Sequence, residues 1–590
     1  FSTRFKIRDG LLRWDNNSGQ LFVKLKEGVS IAEANEKLLT SIIDHREEET
    51  LVHREVFIQL FEDLYLYNRL ENGAIAGGRI EYVRILSIAA LFILLLACIN
   101  FMNITTARSS YRAKETGVRK VLGARRSNLR NQFLVESMLT TTLAVLIAVL
   151  IVFLLIEPFN ELAGKEITGQ AWSLRYLMYV MMFILGMGFV SGIYPALVLS
   201  AMKVSHSLKG MVTRDGKNSM FRKTLVIVQF TITMIMITGA ITVYRQVSYI
   251  QNKNTGLDRS NLIRSYTYDM DNNKDYQRYK ETLLSKPGVE SVSIVTQLLI
   301  NIRNSTSGIS WEGKLETDEL EFYHMDANPD FLTTARIELK EGRDFSWDLQ
   351  SDTSNYIINE AAQKLMGLED PIGKRMSMWG IKGQIIGVVK DFHNASLHSE
   401  IKPLVIRNKM RWGWMVLVRA KEGQQEEAIA SLEEVFYLFN RNRSFWYRFV
   451  DEIFNNQYRS ELLIKELSRW FTIIAIVISM LGLFSLVIYN TQRRTKEVGI
   501  RKVLGASIMQ IFRLLSKEYT LILSVAIVIA VPVSFFVMSQ WLNGFAYRVS
   551  LSWWLFTFGA LIAFVLAYLV IVYSTAKVAT SNPLDHLRDE

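Results

Sequence analysis

The sequence predicts an α-helical polytopic membrane protein: two repeated sets of transmembrane helices, one plus three in each, with α+β extracytoplasmic domains. Three observations predict it. Of 590 residues, 49% are hydrophobic and the mean hydropathy is +0.14, greasier than an average soluble enzyme of this length. Breaking the chain at every charged residue leaves seven long uncharged stretches, each about 20 residues or longer and so able to cross roughly 30 Å of hydrocarbon as a helix. Finally, KETGVRKVLGA (114–124) returns as KEVGIRKVLGA (496–506), identical at nine of eleven positions.

In chain order, residues 1–82 form an extracytoplasmic segment in which LFVKLKEG (21–28) reads as a strand and Gly turn, and VSIAEANEKLLTSI as an amphipathic helix. Three spans fill 83–202: Ile85 to Ala107, Ser137 to Ile156 and Tyr176 to Met202. A basic linker, 203–223, leads to a fourth span, Thr224 to Tyr244, within 224–245. A large insert, 246–466, follows, and then three more spans in 467–577: Trp470 to Gln492, Tyr519 to Tyr547 and Val549 to Ala576. Residues 578–590 are a tail.

Lys and Arg in the short loops set the orientation. Residues 108–130 hold Arg108, Arg112, Lys114, Arg119, Lys120, Arg125, Arg126 and Arg130 against Glu115 alone, whereas Glu157 to Arg175 holds three acids and two bases. Both motif copies and the C-terminus are therefore expected in the cytoplasm. The net charge of +11 follows from topology and anionic lipid and does not require nucleic acid.

The repeat extends beyond the motif. The offset of 382 that carries Lys114 onto Lys496 also aligns Glu136 with Glu518 and Leu139 with Leu521. LFVKLKEG and its helix resemble MVLVRAKEG (415–423) followed by QQEEAIASLEEVF. Each half is then span, external domain and three spans. The leading span of the first half has no counterpart, so the chain is expected to be a fragment missing about 160 to 200 residues of an eight-span protein.

Within the insert, Tyr276 to Leu284 and Glu426 to Phe439 read as helices, and SVSIV, GQIIGVV (383–389) and WMVLV (414–418) as strands of βαβ units. SGISWEGK, EFYHMDANPDFL and IELKEGRDFS make a second lobe, while DNNKD and DLQSDTSN read as surface loops. The single cysteine, Cys98, lies in a span and reads as packing.

No GxxxxGK[ST], GxSxG, HExxH or paired CxxC occurs, so the chain carries no ATPase motif, and no cofactor or metal is expected. Asp391, His393 and His398 come closest to a metal cluster but sit in a loop without further ligands, which favours a structural or solvated role. Charge-free spans argue against an ion-coupled carrier. Gly186, Gly188, Gly192, Pro195 and Pro532 are open to two readings, hinges or close helix packing.

The functional signal is the repeated motif. Lys114, Glu115, Arg119 and Lys120 interleave with Val118, Val121 and Leu122 before a Gly123 cap. That pattern predicts a short amphipathic helix along the membrane surface. Lipid anchoring needs cations but not a fixed glutamate or two glycines at fixed spacing. A pair of near-identical docking elements suits a two-fold partner. The candidate docking residues are Arg112, Lys114, Glu115, Gly117, Arg119, Lys120 and Gly123 in one copy and Arg494, Lys496, Glu497, Gly499, Arg501, Lys502 and Gly505 in the other. In this reading the glutamates meet cations on the partner, the arginines meet its acids, and Gly117 and Gly499 allow close approach or a special dihedral.

The two motifs resemble the cytoplasmic signature of FtsX-like permeases of ABC transporters. LFVKLKEG, NEAAQKLMG with DPIGKRM, and IIGVVKDFHNASLHSEIKPLVI resemble the MacB-like periplasmic core domain, and TSNPLDHLRDE the usual tail. The resemblance covers nearly the whole chain. It implies a permease in a bacterial inner membrane beneath which a separate, dimeric ATPase subunit binds ATP. Closure of that dimer would be transmitted through stalk-like helices to the external domains by mechanotransmission, with an external adaptor or cargo protein as a further partner. Relatives move antibiotics, peptides or lipoproteins, or activate cell-wall hydrolases, so cargo and direction stay open. Two other classes remain: a non-transporting sensor or scaffold, which a neighbouring response-regulator gene would favour over an ATPase gene, and a secondary transporter or channel, which would need polar coupling sites inside the membrane.

Overall fold

The computed structural model describes residues 22–43, 57–71, 74–164, 166–167, 173–201, 216–267, 273–315, 320–409, 415–440, 443–493, 497–498, 500–501 and 504–579. The chain divides into two compact units, 1–91 and 92–590.

In the first unit, α1 (Ile31–Ile43) opens with a reciprocal cap. The Ser30 hydroxyl accepts from the Glu33 N–H and the Glu33 carboxylate accepts from the Ser30 N–H, each at 3.2 Å. Strands β1 (Arg69–Glu71) and β2 (Ala74–Gly77) pair antiparallel. Residues 22–26 form no strand, contrary to the alternation of LFVKLKEG. The described residues supply no neighbouring ladder there, and Phe22 packs edge-on to Phe61 instead.

Among the described residues, seven helices are long and apolar enough to cross a membrane, as the sequence predicts. They are α2 (Arg79–Val121), α3 (Arg126–Ala163), α4 (Leu174–Ala201), α5 (Gly216–Asn252) and three helices that follow the external domain. Helices α3 and α4 pack along one another. A Cβ on Gly192 would stand 2.7 Å from Ser137 Cβ and one on Gly188 3.0 Å from Met138 Cγ, so these glycines serve close packing.

The external domain contains two sheets. Strands β3 (Leu262–Tyr266), β4 (Val289–Val295), β13 (Met415–Ala420) and β14 (Tyr447–Phe449) form an antiparallel sheet in the order β14-β3-β13-β4. Helix α6 (Asn273–Leu284) links β3 to β4 and α9 (Gln425–Phe439) links β13 to β14, giving the split βαβ order of a ferredoxin-like layer. Tyr279, Leu283, Leu432 and Val435 seal the helices to that sheet. The second lobe is inserted between β4 and β13. It contains β5 (Ser305–Thr306), β6 (Ile309–Trp311), β7 (Phe322–Asp326), α7 (Phe331–Ala335), β8 (Leu339–Gly342), β9 (Tyr356–Asn359), α8 (Glu360–Met366), β10 (Arg375–Met378), β11 (Ile381–Val389) and β12 (Leu404–Arg407). Its mixed sheet runs β5-β7-β12-β9-β11-β10-β6, with β8 also on β11. A shared core that includes Leu262, Leu417, Met325, Phe331, Ile357 and Leu404 joins the two lobes.

DLQSDTSN is only partly a surface loop. Its Asp352 side chain is fully buried and accepts a two-pronged bond from Arg343, Nη1 at 2.6 Å and Nη2 at 2.8 Å. The sequence pattern hides this because an ion pair between residues nine apart in a loop leaves no periodic trace. DNNKD straddles the start of α6, and its Asp271 and Asn272 lie outside the described residues.

Helix α10 (Val450–Gln457) returns the chain to α11 (Arg459–Arg493), followed by α12 (Ile508–Leu542) and α13 (Trp553–Ala579). These three spans surround α5, which packs against all of them. Their apolar contacts include Val226, Phe230, Leu483, Leu523 and Ile571. A leading span enclosed by the three that follow is therefore the packing unit of the second repeat.

Candidate functional site

The first copy of the repeated motif is not a separate surface helix. From Thr105 to Val121 nothing interrupts α2, because Gly117 is the only glycine and no proline occurs. The span helix therefore runs 43 residues and the first motif forms its last turns. Gly117 is buried within the helix. The special dihedrals fall six residues further on, at Gly123 with φ +95° and its counterpart Gly505 with φ +91°. The Ala124 N–H reaches back to the Arg119 carbonyl at 2.9 Å and the Ala506 N–H to the Arg501 carbonyl at 2.8 Å, so both copies end in the same left-handed turn.

Charges within the motif pair with each other. Arg119 Nη2 lies 2.7 Å from Glu115 Oε1, and Arg501 Nη2 lies 2.9 Å from Glu497 Oε1, both at i,i+4 and about half exposed. Arg119 also donates to Gln132 Oε1 at 2.8 Å, fixing the motif to the next span helix. Burial, followed by the charge of Arg126, lowers the Lys120 ammonium below its ordinary value. Between motif and helix lies a cavity of about 120 Å³ lined by Glu115, Thr116, Arg119, Gln132, Phe133 and Glu136.

One face of each motif is anchored and the other is open. Thr116 is buried in the first copy. Its counterpart Val498 packs on Ile511 and Leu515, the residues that the 382 offset sets against Leu129 and Phe133. Outward stand Leu122 and Leu504, 81% and 80% exposed, with Val118 and Ile500 beside them. The surface offered is thus an apolar knob at a turn beside an ion pair, presented twice. Identity of the VLGA ending in both copies is the signal for these leucines.

The copies differ at the following helix. Ser507 and Gln510 make a capping box at α12, whereas Arg125 at the equivalent point of α3 supplies no side-chain cap. Of the candidate residues, Arg112 and Lys114 lie on α2 with side chains outside the described residues. Arg494, Lys496, Gly499 and Lys502 lie outside them altogether, as do the tail 580–590 and most of the linker 203–223.

Elsewhere, Asp391, His393 and His398 do not converge, and no His/Cys/Asp/Glu group suited to a metal occurs among the described residues. Burial, aided by Lys253 and Arg259, lowers His393 to about 4. The spans are free of charge but not of polarity. Thr233 and Ser479 hydroxyls meet at 2.5 Å, Gln229 donates to the Ser479 carbonyl at 3.2 Å, and Asn103 donates to Gln229 at 3.4 Å. Sequence reasoning, tuned to charges, missed this node.

Two family models match. The FtsX-like permease C-terminal model covers 87–205 and again 469–583, and the MacB-like periplasmic core domain model covers 225–435, together more than half of the chain. The chain belongs to the FtsX/MacB-like ABC transporter permeases. The doubled permease match falls on the two repeats, each including one motif copy. Among curated relatives, the macrolide export ATP-binding/permease protein MacB of Campylobacter jejuni is 26% identical over 187 residues, 31% of this permease and 27% of that protein. MacB 2 of Aeromonas hydrophila is 22% identical over 310 residues, 48% and 45% of the two chains. The permease thus spans less than half the length of these relatives. The periplasmic region of MacB from Actinobacillus actinomycetemcomitans aligns with 35% of this chain and 97% of its own, at 19% identity and a TM-score of 0.25.

Proposed function

We propose that this permease is the membrane subunit of an ABC transporter working by mechanotransmission. A separate ATPase dimer docks on the two motif turns in the cytoplasm, and its opening and closing move α2 and α11 along their length. Helix α2 runs unbroken from the external side to its motif turn, so displacement of that turn displaces the helix, and α11 runs unbroken from the external side to Arg493. The external domains then act on cargo of the antibiotic, peptide or lipoprotein class. ATP is bound by the partner, the site is a bacterial inner membrane, and both motifs and the C-terminus face the cytoplasm.

The observation that carries this reading is the pair of exposed leucines, Leu122 and Leu504, held at matching left-handed turns. A leucine about four-fifths exposed at a fixed turn, and repeated at the equivalent turn, is an apolar contact that a pocket on a folded partner gains by burying. The internal pairing of Glu115 with Arg119 and Glu497 with Arg501 leaves the leucines as the main contacts and gives the ion pairs a rim role. The test is co-purification of the ATPase with Leu122→Asp, Leu504→Asp and the double variant. Each single change should weaken association by at least tenfold, since desolvating a carboxylate at an interface core costs several kcal/mol and tenfold corresponds to only about 1.4 kcal/mol. Undiminished co-purification and ATP turnover with the double variant would refute docking through these turns.

A further inference from the structure

After β11 the chain forms a loop, 393–398, and returns to β12. One end of this loop is tied to the segment just beyond the external end of α5, since the His393 N–H donates to the Thr255 carbonyl at 2.8 Å. Further on, the Leu397 N–H donates to the Tyr458 hydroxyl at 2.8 Å, at the head of α11. The third tie is to the turn between α12 and α13. The Tyr547 and Ala546 N–H groups reach the Leu397 and His398 carbonyls, each at 3.3 Å.

His398 closes the joint. Its Nδ1 lies 3.0 Å from the Gly544 carbonyl and its Nε2 2.8 Å from Glu461 Oε1 on α11, while the ring stacks on Phe545 at 4.3 Å. A carbonyl oxygen can only accept, so Nδ1 carries a hydrogen, and one further proton must lie between Nε2 and the carboxylate. The same turn is gripped by Gln246 of α5, which donates to the Tyr547 carbonyl and accepts from the Val549 N–H, both at 2.9 Å. Lys253 sits over the Tyr547 ring at 3.9 Å.

We infer that loop 393–398, closed by the His398–Glu461 contact, is a rigid clasp that carries movement of the α12–α13 turn directly into the second lobe of the external domain. The clasp is a line of transmission separate from the covalent connections through α5 and α11. His398 and Glu461 are positioning residues. The inference rests on the mechanotransmission reading and adds that the last two spans take part in it.

The test uses the full chain with its ATPase in lipid nanodiscs, followed by hydrogen exchange without nucleotide and with ATP plus vanadate. In the native chain, 396–398 and 543–549 should be equally protected in both states, and nucleotide should alter exchange in the second lobe, 356–389. His398→Phe keeps the stack but loses both ring bonds, so exchange at both segments should rise about tenfold and the nucleotide response of the lobe should fall by at least half. Glu461→Leu should do the same. Glu461→Gln, whose amide can donate to Nε2, should restore native behaviour. Unchanged protection in His398→Phe, or a loosened joint with the lobe's response undiminished, would overturn the clasp. Absence of any nucleotide response in the native chain would instead overturn the mechanotransmission reading, and the clasp with it.

Discussion

Lys223 Nζ stands 2.9 Å from Glu518 Oε1, tying the start of α5 to the helix that follows the second motif. Glu518 is the residue that the 382 offset places on Glu136, which lines the cavity beside the first motif. The leading span of the second repeat thus supplies a cation to the motif end of its own bundle. Lys223 is nearly half exposed and Glu518 about a quarter, so the pair contributes modestly to stability. Glu518→Gln should lower stability by about 0.2–1 kcal/mol, read as a small fall in the thermal midpoint in nanodiscs that added salt reproduces in the native chain. A salt-independent fall of several degrees would show that Glu518 acts by another route.

Gly123 and Gly505 hold dihedrals that a β-branched residue adopts only with strain. No atom lies within 4 Å of a Cβ built at either position, so the penalty is conformational and not a clash. Gly123→Val should cost about 1–3 kcal/mol locally and unwind the turn that presents Leu122. Limited proteolysis near 118–124 should accelerate while protection of the external domain stays native.

Arg407 grips Asp326 through Nε at 2.7 Å and Nη2 at 3.0 Å, with both side chains less than a tenth exposed. Burial pushes the Asp326 carboxyl up and Arg407 offsets only part of that rise, so removing the guanidinium strands the acid. Arg407→Ala should destabilise the external domain by about 3–5 kcal/mol, visible as lost exchange protection in β7 and β12. Asp326→Asn/Arg407→Met should recover much of that loss.

Acid sensitivity of the external domain follows from groups that shift in opposite directions. Burial lowers His324 and His393 to about 4, with Arg407 adding to the effect at His324. Between their ordinary value and about 4, the unfolded chain binds protons that the folded one refuses, so stability falls as pH drops through that window. Burial raises the Asp344 carboxyl to about 7, with Asp330 and Asp352 adding to it. For this group the folded state holds the extra proton between about 4 and 7, so stability rises as pH drops. Asp344→Asn should therefore steepen the loss of thermal stability from pH 6.5 to 4.5, and His324→Gln should make it shallower. Identical profiles for the two variants would contradict these assignments.

Much of the architecture is legible in the amino-acid sequence because its determinants are local or repetitive. Charge-free stretches as long as Trp470 to Gln492 can satisfy their backbone in lipid only as helices, and the duplicated KETGVRKVLGA marks two equivalent ends without any knowledge of packing. The helices and central strands of the external domain follow from period alone, as with Met415–Ala420 and Gln425–Phe439. What the sequence left undecided depends on distant neighbours. Whether a motif begins a new helix or ends an old one was settled by the absence of any break in α2, and the pairing of Glu115 with Arg119 by the helical turn that places them side by side. Asp352 is buried because Arg343 folds over it, residues 22–26 form no strand because the described residues give them no ladder, and Gln229 meets Ser479 only when α5 lies inside its bundle. His398 shows the distinction most clearly. Its partners Glu461 and Gly544 lie 63 and 146 residues away, and no local periodicity carries information over that distance. Hydrophobic pattern fixes which segments are helix, strand or span, whereas hydrogen bonds and ion pairs between remote residues take their identity from the packed fold.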